Sequence, residues 1–427
     1  MAASDVRRLR RGACVYPDSV SRVVPPRPLR LTNTVQRYDW GSVDAIPALL
    51  GVAADGGPMA ELWLGGHPSA PSFADVDGAS VDLPTLIREA PSAMLGRRIA
   101  DEFGPRLPYL LKVLAASRAL SLQVHPKPHA AREGFNHENA LGLPVGSPKR
   151  SFHDDQHKPE MVVALSQFEG LAGFRSPRTI LAILEGLDGR LVEAVRARLR
   201  ADRSDASMRQ AFQVLLGARS EATCRDDIDV TVAAVGERLA SGSPFARADS
   251  TVVELAQQHP GDPGAIASLM LNRVTLEPGE SMFTPAGEVH AYLSGLGIEV
   301  MASSDNVLRA GLTTKLVDEE ALVRCASFAP RMPVLPQVHT SGSRGQVQTY
   351  RAPVREFALT TADVDPSEEV ALPVEGPRVV LCLDGQIDLR TASGTVSARH
   401  GQSVFVPHAA GPVAVAGTGH LVCSWVP

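Results

Sequence analysis

Between residues 176 and 270 the apolar positions of this 427-residue chain change their period, and that change restricts the fold more than any other feature. From Leu29 to about Leu165 the apolar runs are short and are stopped by Gly, Pro or Asp. Examples are Leu107-Pro-Tyr-Leu-Leu-Lys-Val-Leu, Leu120-Ser-Leu-Gln-Val-His and Met161-Val-Val-Ala-Leu. Such runs between turn residues read as strands of a sandwich or barrel, with one helix expected over Leu83–Glu89 ahead of a proline. At Ser176-Pro177 the pattern becomes that of a helix N-cap followed by proline at the first helical position. Ile180, Leu181, Ile183, Leu184, Leu187, Leu191, Val192 and Val195 then recur at helical spacing. The same spacing continues through Met208–Leu216, Val230–Leu239 and Val252–Gln258. Strand-like sequence resumes at Arg273-Val-Thr-Leu and Gly297-Ile-Glu-Val-Met-Ala. Pro330, Pro333 and Pro336 mark a linker, and beyond it short strands are expected at 379–383, 386–390, 403–406 and 420–425.

The fold class is therefore mainly β with a helical insertion. An internal echo refines it: Gly279-Glu-Ser-Met-Phe-Thr-Pro285 repeats as Gly401-Gln-Ser-Val-Phe-Val-Pro407. Both read as a glycine turn, a short strand and a proline-led turn, which suggests two related jelly-roll β-sandwich units, as in a bicupin. Expected divisions are a tail over 1–29, one sandwich from 30–175 and 271–329, a helical insertion over 176–270, and a second sandwich over 330–427. The tail, Arg-rich and containing Val24-Pro25-Pro26-Arg27-Pro28, is expected to be disordered and dispensable.

Charge and cysteine content exclude several functions. A net charge of -5 leaves no global footprint for nucleic acid or a membrane surface, so an anionic substrate requires a local cluster of Arg and Lys. Cys14, Cys224, Cys325, Cys382 and Cys423 are scattered and never in CxxC spacing, which argues against a disulfide framework or a cysteine-bound zinc. No apolar stretch is long enough to span a bilayer. A cytoplasmic, monomeric protein is the expectation.

Three segments carry the chemistry. In Ser121-Leu-Gln123-Val-His125-Pro126, residues two apart on a strand share a face, so Gln123 and His125 can reach one point. In His157-Lys158-Pro159-Glu160, Lys158 and Glu160 share a face ahead of an apolar run. In Gly279-x5-Pro285-Ala-Gly287-x2-His290-Ala-Tyr292 a histidine follows a Gly/Pro turn, close to the second cupin metal motif with Ser294 where Asn is usual. The C-terminal copy has His408-Ala-Ala-Gly and no His-x-His upstream, so it reads as metal-free. Lys112 and Glu299 stand inside apolar strands, where a charge is costly unless it is paired or used. Lone histidines such as His67 and His259 read as surface or satisfied core residues.

These segments, with Asn33–Ser42, Ala60-Glu-Leu-Trp63-Leu-Gly-Gly-His-Pro-Ser69 and Asp305-Asn-Val-Leu-Arg309-Ala-Gly-Leu-Thr-Thr-Lys315, resemble the type I phosphomannose isomerases over roughly residues 30–330. The resemblance implies an aldose–ketose isomerase interconverting mannose 6-phosphate and fructose 6-phosphate through a cis-enediol, in the supply of GDP-mannose. It implies one Zn2+ per subunit on Gln123, His125, Glu160 and His290. Catalytic roles fall to Arg309, Lys158, Glu299, His157 and Asp305, with Glu299 and Lys158 both open as the proton-transfer base. Contacts to the sugar phosphate fall to Trp40, Lys112, Ser121, Tyr292 and Lys315. The alternatives are a non-catalytic sugar-binding regulatory bicupin, and an iron dioxygenase, against which Gln123 counts because such sites usually carry several histidines.

Overall fold

The computed structural model describes residues 26–219, 224–343 and 346–427, so the expectation for the tail lies outside it except at its last residues. There the tail reading is corrected. Leu29 is fully buried and opens the strand Leu29–Thr32, because its side chain completes an apolar core. Among the described residues the strands form a ten-stranded and an eleven-stranded sheet, all pairings antiparallel.

The ten-stranded sheet is organised by one long strand, His290–Ala302. Its first half pairs with Phe168–Phe174 and places His290 opposite Gln123. From Gly295 onward it pairs with Tyr109–Ala116 on one side and Glu160–Ala164 on the other. All eight residues of Tyr109–Ala116 and all five of Glu160–Ala164 are buried, which is why both read as continuous apolar runs rather than alternating ones. Lys112 and Glu299 face each other directly across this pairing.

The eleven-stranded sheet is built mainly from residues 337–425, with Arg378–Thr391 and Ala414–Trp425 as its long central pair. Chain order does not confine it: Leu29–Thr32 pairs with Ser403–Val406, and Phe73–Val76 with Ala79–Asp82 extends the same edge. Residues 29–82, which also give strands Thr34–Gln36 and Glu61–Gly65 to the ten-stranded sheet, thus tie the two sheets together. Tyr109 reinforces the tie, its hydroxyl donating to the carbonyls of Pro377 and Ser424.

Helices dominate the described residues between 177 and 267. Ser176 caps the first, its hydroxyl accepting from Thr179 N at 3.1 Å with Pro177 next in line. The apolar run 180–195 is divided into Pro177–Ile183 and Arg190–Ala201, followed by Asp205–Gly217, Arg225–Ala240 and Ala246–Gln258. Their inner faces share one core with Leu122, Val124, Leu308, Leu312 and Leu322, which seats the helices beside the strands that carry the motifs. The helix Leu83–Glu89 is where the sequence places it. The helix Pro128–Ala140 has no counterpart in the sequence reading, because its polar composition hides the apolar period. No described helix is long and apolar enough to cross a membrane.

Candidate metal centre and active-site cavity

Between the helices and the ten-stranded sheet lies a cavity of about 460 Å³. At its base three side chains from three strands converge. His125 follows Leu122–Val124, Glu160 opens its strand and His290 opens the long one. All three are almost wholly buried. His125 Nε2 lies 3.1 Å from one Glu160 oxygen, and His290 Nε2 lies 3.4 Å from the other.

The hydrogen bonds behind the imidazoles fix their tautomers. His125 Nδ1 donates to the Asn306 carbonyl at 2.7 Å, and His290 Nδ1 donates to the Glu288 carbonyl at 3.0 Å. Each Nε2 is then a lone pair facing the carboxylate, and neither has a hydrogen-bond partner; nor has Glu160 Oε2. Three buried electron-pair donors turned toward one another repel unless a cation lies between them, so the donor set fits a metal ion. The three are also the one described group of His, Cys, Asp or Glu residues close enough to hold such an ion. Burial lowers the His125 pKa to about 4, which keeps its imidazole neutral and available as a ligand. Burial alone would raise Glu160, but the Lys158 ammonium beside it holds it well below the usual carboxylate range. Gln123 pairs in register with His290 on one side and Arg309 on the other, and it lines the cavity beside Glu160.

Above this base sits a buried charge network. Lys112 Nζ is 3.0 Å from Glu299 Oε2 and 3.3 Å from Glu61 Oε1, and it lies 5.2 Å from the centre of the Trp63 ring. Trp63 Nε1 donates to the other Glu61 oxygen at 2.7 Å. Burial pulls the Lys112 pKa down, but the carboxylates of Glu299 and Glu61 outweigh it and raise it. Glu299 is raised by burial, with Lys112 opposing and Glu160 adding to the rise. Tyr292 is held well above its ordinary value by burial, then by the charges of Glu299 and Glu160. Lys158 Nζ donates to Glu160 Oε1 at 3.0 Å.

Toward the mouth the cavity is lined by Tyr38, Trp40, Arg118, Ser121, Gln258, His259, Arg309, Thr313, Thr314 and Lys315. Among the described residues neither Arg309 nor Lys315 has a carboxylate within ion-pair distance. Lys315 rests 5.8 Å from the centre of the Tyr38 ring, and its pKa is lowered by burial and then by the Arg309 cation beside it. A half-buried guanidinium and an exposed ammonium side by side without a counter-charge suit an anionic group.

The structure gathers almost every residue expected from sequence. Trp40, Lys112, Ser121, Gln123, Lys158, Glu160, Tyr292, Glu299, Asp305, Arg309 and Lys315 all line the one cavity, with His125 and His290 behind its base. His157 is the exception. Its Nε2 lies 2.7 Å from Glu356 Oε1, in a separate small pocket with Arg106, Gln156 and Ser303. Glu61, Tyr38, Arg118, Gln258 and Thr313 were missed, and His259, read as a lone histidine, also lines the cavity. His67 is the satisfied core histidine expected: it is 3% exposed, packs its ring on Trp63 and lies 3.4 Å from Asp305. Glu61 and His67 both sit inside a quoted motif around Trp63, and alternation puts Glu61 on the Trp63 face.

Comparison with known proteins agrees with this geometry. Residues 29–177 match the catalytic domain of type I phosphomannose isomerase, and 346–426 match the cupin domain of mannose-6-phosphate isomerase. The mannose-6-phosphate isomerase of Salmonella typhimurium is 36% identical over 92% of this chain and 98% of its own length. That of Rattus norvegicus is 30% identical over 89% and 93%. A crystal structure of the Salmonella typhimurium phosphomannose isomerase, in a mutant form, superposes with a TM-score of 0.85 at 34% identity, covering 94% of this chain and 99% of that one. A zinc-bound holo mannose 6-phosphate isomerase superposes with a TM-score of 0.83 at 34% identity, with the same coverage.

Proposed function

The chain belongs to the type I phosphomannose isomerases, an isomerase of mannose 6-phosphate, and from that membership we propose how its cavity divides the work. The architecture is read as a bicupin: a catalytic sandwich over 30–175 and 271–329, a helical insertion over 176–270, and a metal-free sandwich over 330–427. The observation that carries the site is the convergence of two unpartnered imidazole nitrogens and a carboxylate at the base of a cavity whose mouth holds Arg309 and Lys315 without counter-charges.

One Zn2+ per subunit is assigned to Gln123, His125, Glu160 and His290. Two neutral imidazoles, a neutral amide and one carboxylate leave a dication about one net positive charge, which a second carboxylate at Gln123 would cancel. When bound there, zinc supplies a Lewis-acidic centre that polarises sugar oxygens and favours the negative charge of an enediolate.

The protein's own residues do the rest. Arg309 and Lys315, with the Ser121 hydroxyl, bind the phosphate and fix the sugar in the cavity, and Trp40 and Tyr292 line its length. Asp305, held by His67, is placed to take or return the hydroxyl proton in ring opening. Glu299 takes the C2 proton of the open chain and returns it at C1, giving fructose 6-phosphate. Burial suits it to exchange protons, and Lys112 at 3.0 Å keeps its carboxylate oriented. Lys158 donates toward the developing charge from beside Glu160. His157 receives no role, since its imidazole is committed to Glu356 outside the cavity. The test is direct: zinc-loaded protein should convert mannose 6-phosphate to fructose 6-phosphate, lose the activity with a chelator and regain it with zinc. Full turnover by metal-free protein would contradict the proposal.

A further inference from the structure

The lip of the cavity carries a residue in a costly backbone conformation. Leu312 has φ +55°, in the left-handed region that residues with a branched side chain rarely adopt. Asp77 is the other described non-glycine residue with positive φ, and it belongs to the tight Asp-Gly turn of a hairpin. Leu312 has no such turn to account for it. It is 2% exposed and packs into the core shared with the helices, and the three residues after it, Thr313, Thr314 and Lys315, line the cavity.

The conformation is held from the helical region. Asp262 Oδ2 accepts from Thr313 N at 3.4 Å, and its Oδ1 accepts from Gly264 N at 2.8 Å. Arg219 Nη1 pairs with Asp262 Oδ2 at 2.6 Å, while Nη2 donates to the Thr313 carbonyl. Both backbone polar groups of Thr313 therefore end on a single ion pair. Close packing leaves the corner little room to shift: a Cβ on Gly311 would meet Asp262 Oδ1 at 3.0 Å, and one on Gly264 would meet Leu312 Cγ at 3.0 Å.

We propose that Asp262, braced by Arg219, is a positioning residue for the reaction: it holds Gly311–Lys315 so that Thr313, Thr314 and Lys315 are presented to the phosphate of the substrate. This rests on the reading that the phosphate lies at Arg309 and Lys315. Asp262 touches no substrate atom in this account. It acts by keeping Leu312 in a conformation the segment would otherwise leave, and it makes the helical region part of the phosphate site.

The test compares kcat/KM for mannose 6-phosphate and for unphosphorylated mannose in zinc-loaded Asp262→Asn and Arg219→Lys proteins, with the inhibition constant of inorganic phosphate as a separate probe. Both variants should lower kcat/KM for the phosphorylated sugar by on the order of tenfold, less than the roughly 100-fold that a displacement of about 1 Å can cost. The value for mannose should stay within about twofold, and phosphate inhibition should weaken in step. The double variant should be no worse than the worse single, since the two residues act as one unit. Arg219→Lys keeps the charge facing Asp262 and loses the fork to Thr313, so it reports even where Asp262→Asn does not fold. An equal loss with both sugars, or no loss with either, overturns the proposal. Lys315→Met distinguishes the clamp from the reading beneath it. If Lys315→Met is selective for the phosphorylated sugar and Asp262→Asn is not, the clamp falls and the phosphate site stands. If neither is selective, both fall.

Discussion

The segments Gly279–Pro285 and Gly401–Pro407 build the same local structure and lead into opposite interiors. Each begins at a glycine of positive φ, +87° and +77°, and each continues into a fully buried four-residue strand, Ser281–Thr284 or Ser403–Val406. From the first the chain goes on to His290, and the interior beside the ten-stranded sheet holds Lys112, Glu160, Glu299 and two imidazole nitrogens without hydrogen-bond partners. In the second the chain goes on to His408, whose Nδ1 accepts from Gly376 N at 3.1 Å and so serves the backbone. The interior there is Val380, Cys382, Ile387, Leu389, Val404, Val406, Val415 and Leu421. Its one buried guanidinium among the described residues, Arg378, is spent on the carbonyls of Pro373, Val374, Pro407 and Gly411. A sandwich that only has to fold fills itself with apolar side chains, whereas one that has to bind tolerates buried lone pairs that cost free energy until a ligand meets them.

Substitutions on the two sides should separate function from stability. The largest effect on rate is expected for Glu160→Ala, which should lower kcat/KM by about 1000-fold or more, at the upper end of what one electrostatic group supplies. The substitution leaves the buried Lys158 ammonium without the carboxylate 3.0 Å away, at some cost in stability, but the variant should still fold. A variant that is unfolded in thermal melts would mean the polar base is needed for the fold itself.

Next is Glu299→Gln, nearly isosteric and not itself assigned to the metal. It should retain zinc and lose at least ~100-fold in rate, the low end for removing a general base, with exchange of the C2 hydrogen into deuterated water falling in parallel. Near-normal exchange here, with exchange abolished in Lys158→Met, would transfer the role to the lysine. If Glu299 is the base it must be ionised to act. Its pKa is raised by burial, so activity should decline on the acid side at a pH above that of an ordinary carboxylate. A pH–rate profile of kcat/KM shows this directly, and the acid limb should be lost in Glu299→Gln.

Smaller again is Arg309→Gln. One charge-assisted contact is worth about 1.5–3 kcal/mol, or roughly 10- to 150-fold, and the loss should fall on mannose 6-phosphate and spare unphosphorylated mannose. Comparable losses for both sugars would show that Arg309 serves the fold or the sugar ring. In the second sandwich Leu389→Ala should destabilise by about 2–5 kcal/mol in denaturant melts and leave kcat/KM within about twofold. A selective loss of rate there would end the contrast between the two interiors.

How much of this was legible in the sequence depended on range. Local periodicity located the helices after Ser176 and the buried strands around Lys112 and Glu160, because burial on both faces leaves continuous apolar runs. It passed over Pro128–Ala140, whose face toward the core is narrow and mostly small. It also could not show that Leu29–Thr32 closes the sheet of residues 337–425, since a pairing across some 370 residues leaves no local pattern. The candidate site was legible where motifs alternate on strands. The rule that puts Lys158 and Glu160 on one face also sends His157 to the other, toward Glu356, and applied strictly it would have removed that residue. His259 and Gln258 reach the cavity only through the packing of helix Ala246–Gln258, which no nearby residue betrays.

The central claim is that the interior reached through Gly279–Pro285 holds a metal and the one reached through Gly401–Pro407 does not. Anomalous diffraction at the zinc edge from crystals of the zinc-loaded protein tests it most directly. The account predicts a single strong peak per chain, among Gln123, His125, Glu160 and His290, absent from Glu160→Ala crystals grown the same way. A peak inside the C-terminal sandwich, or one that persists at full height between His125 and His290 in Glu160→Ala, would contradict it.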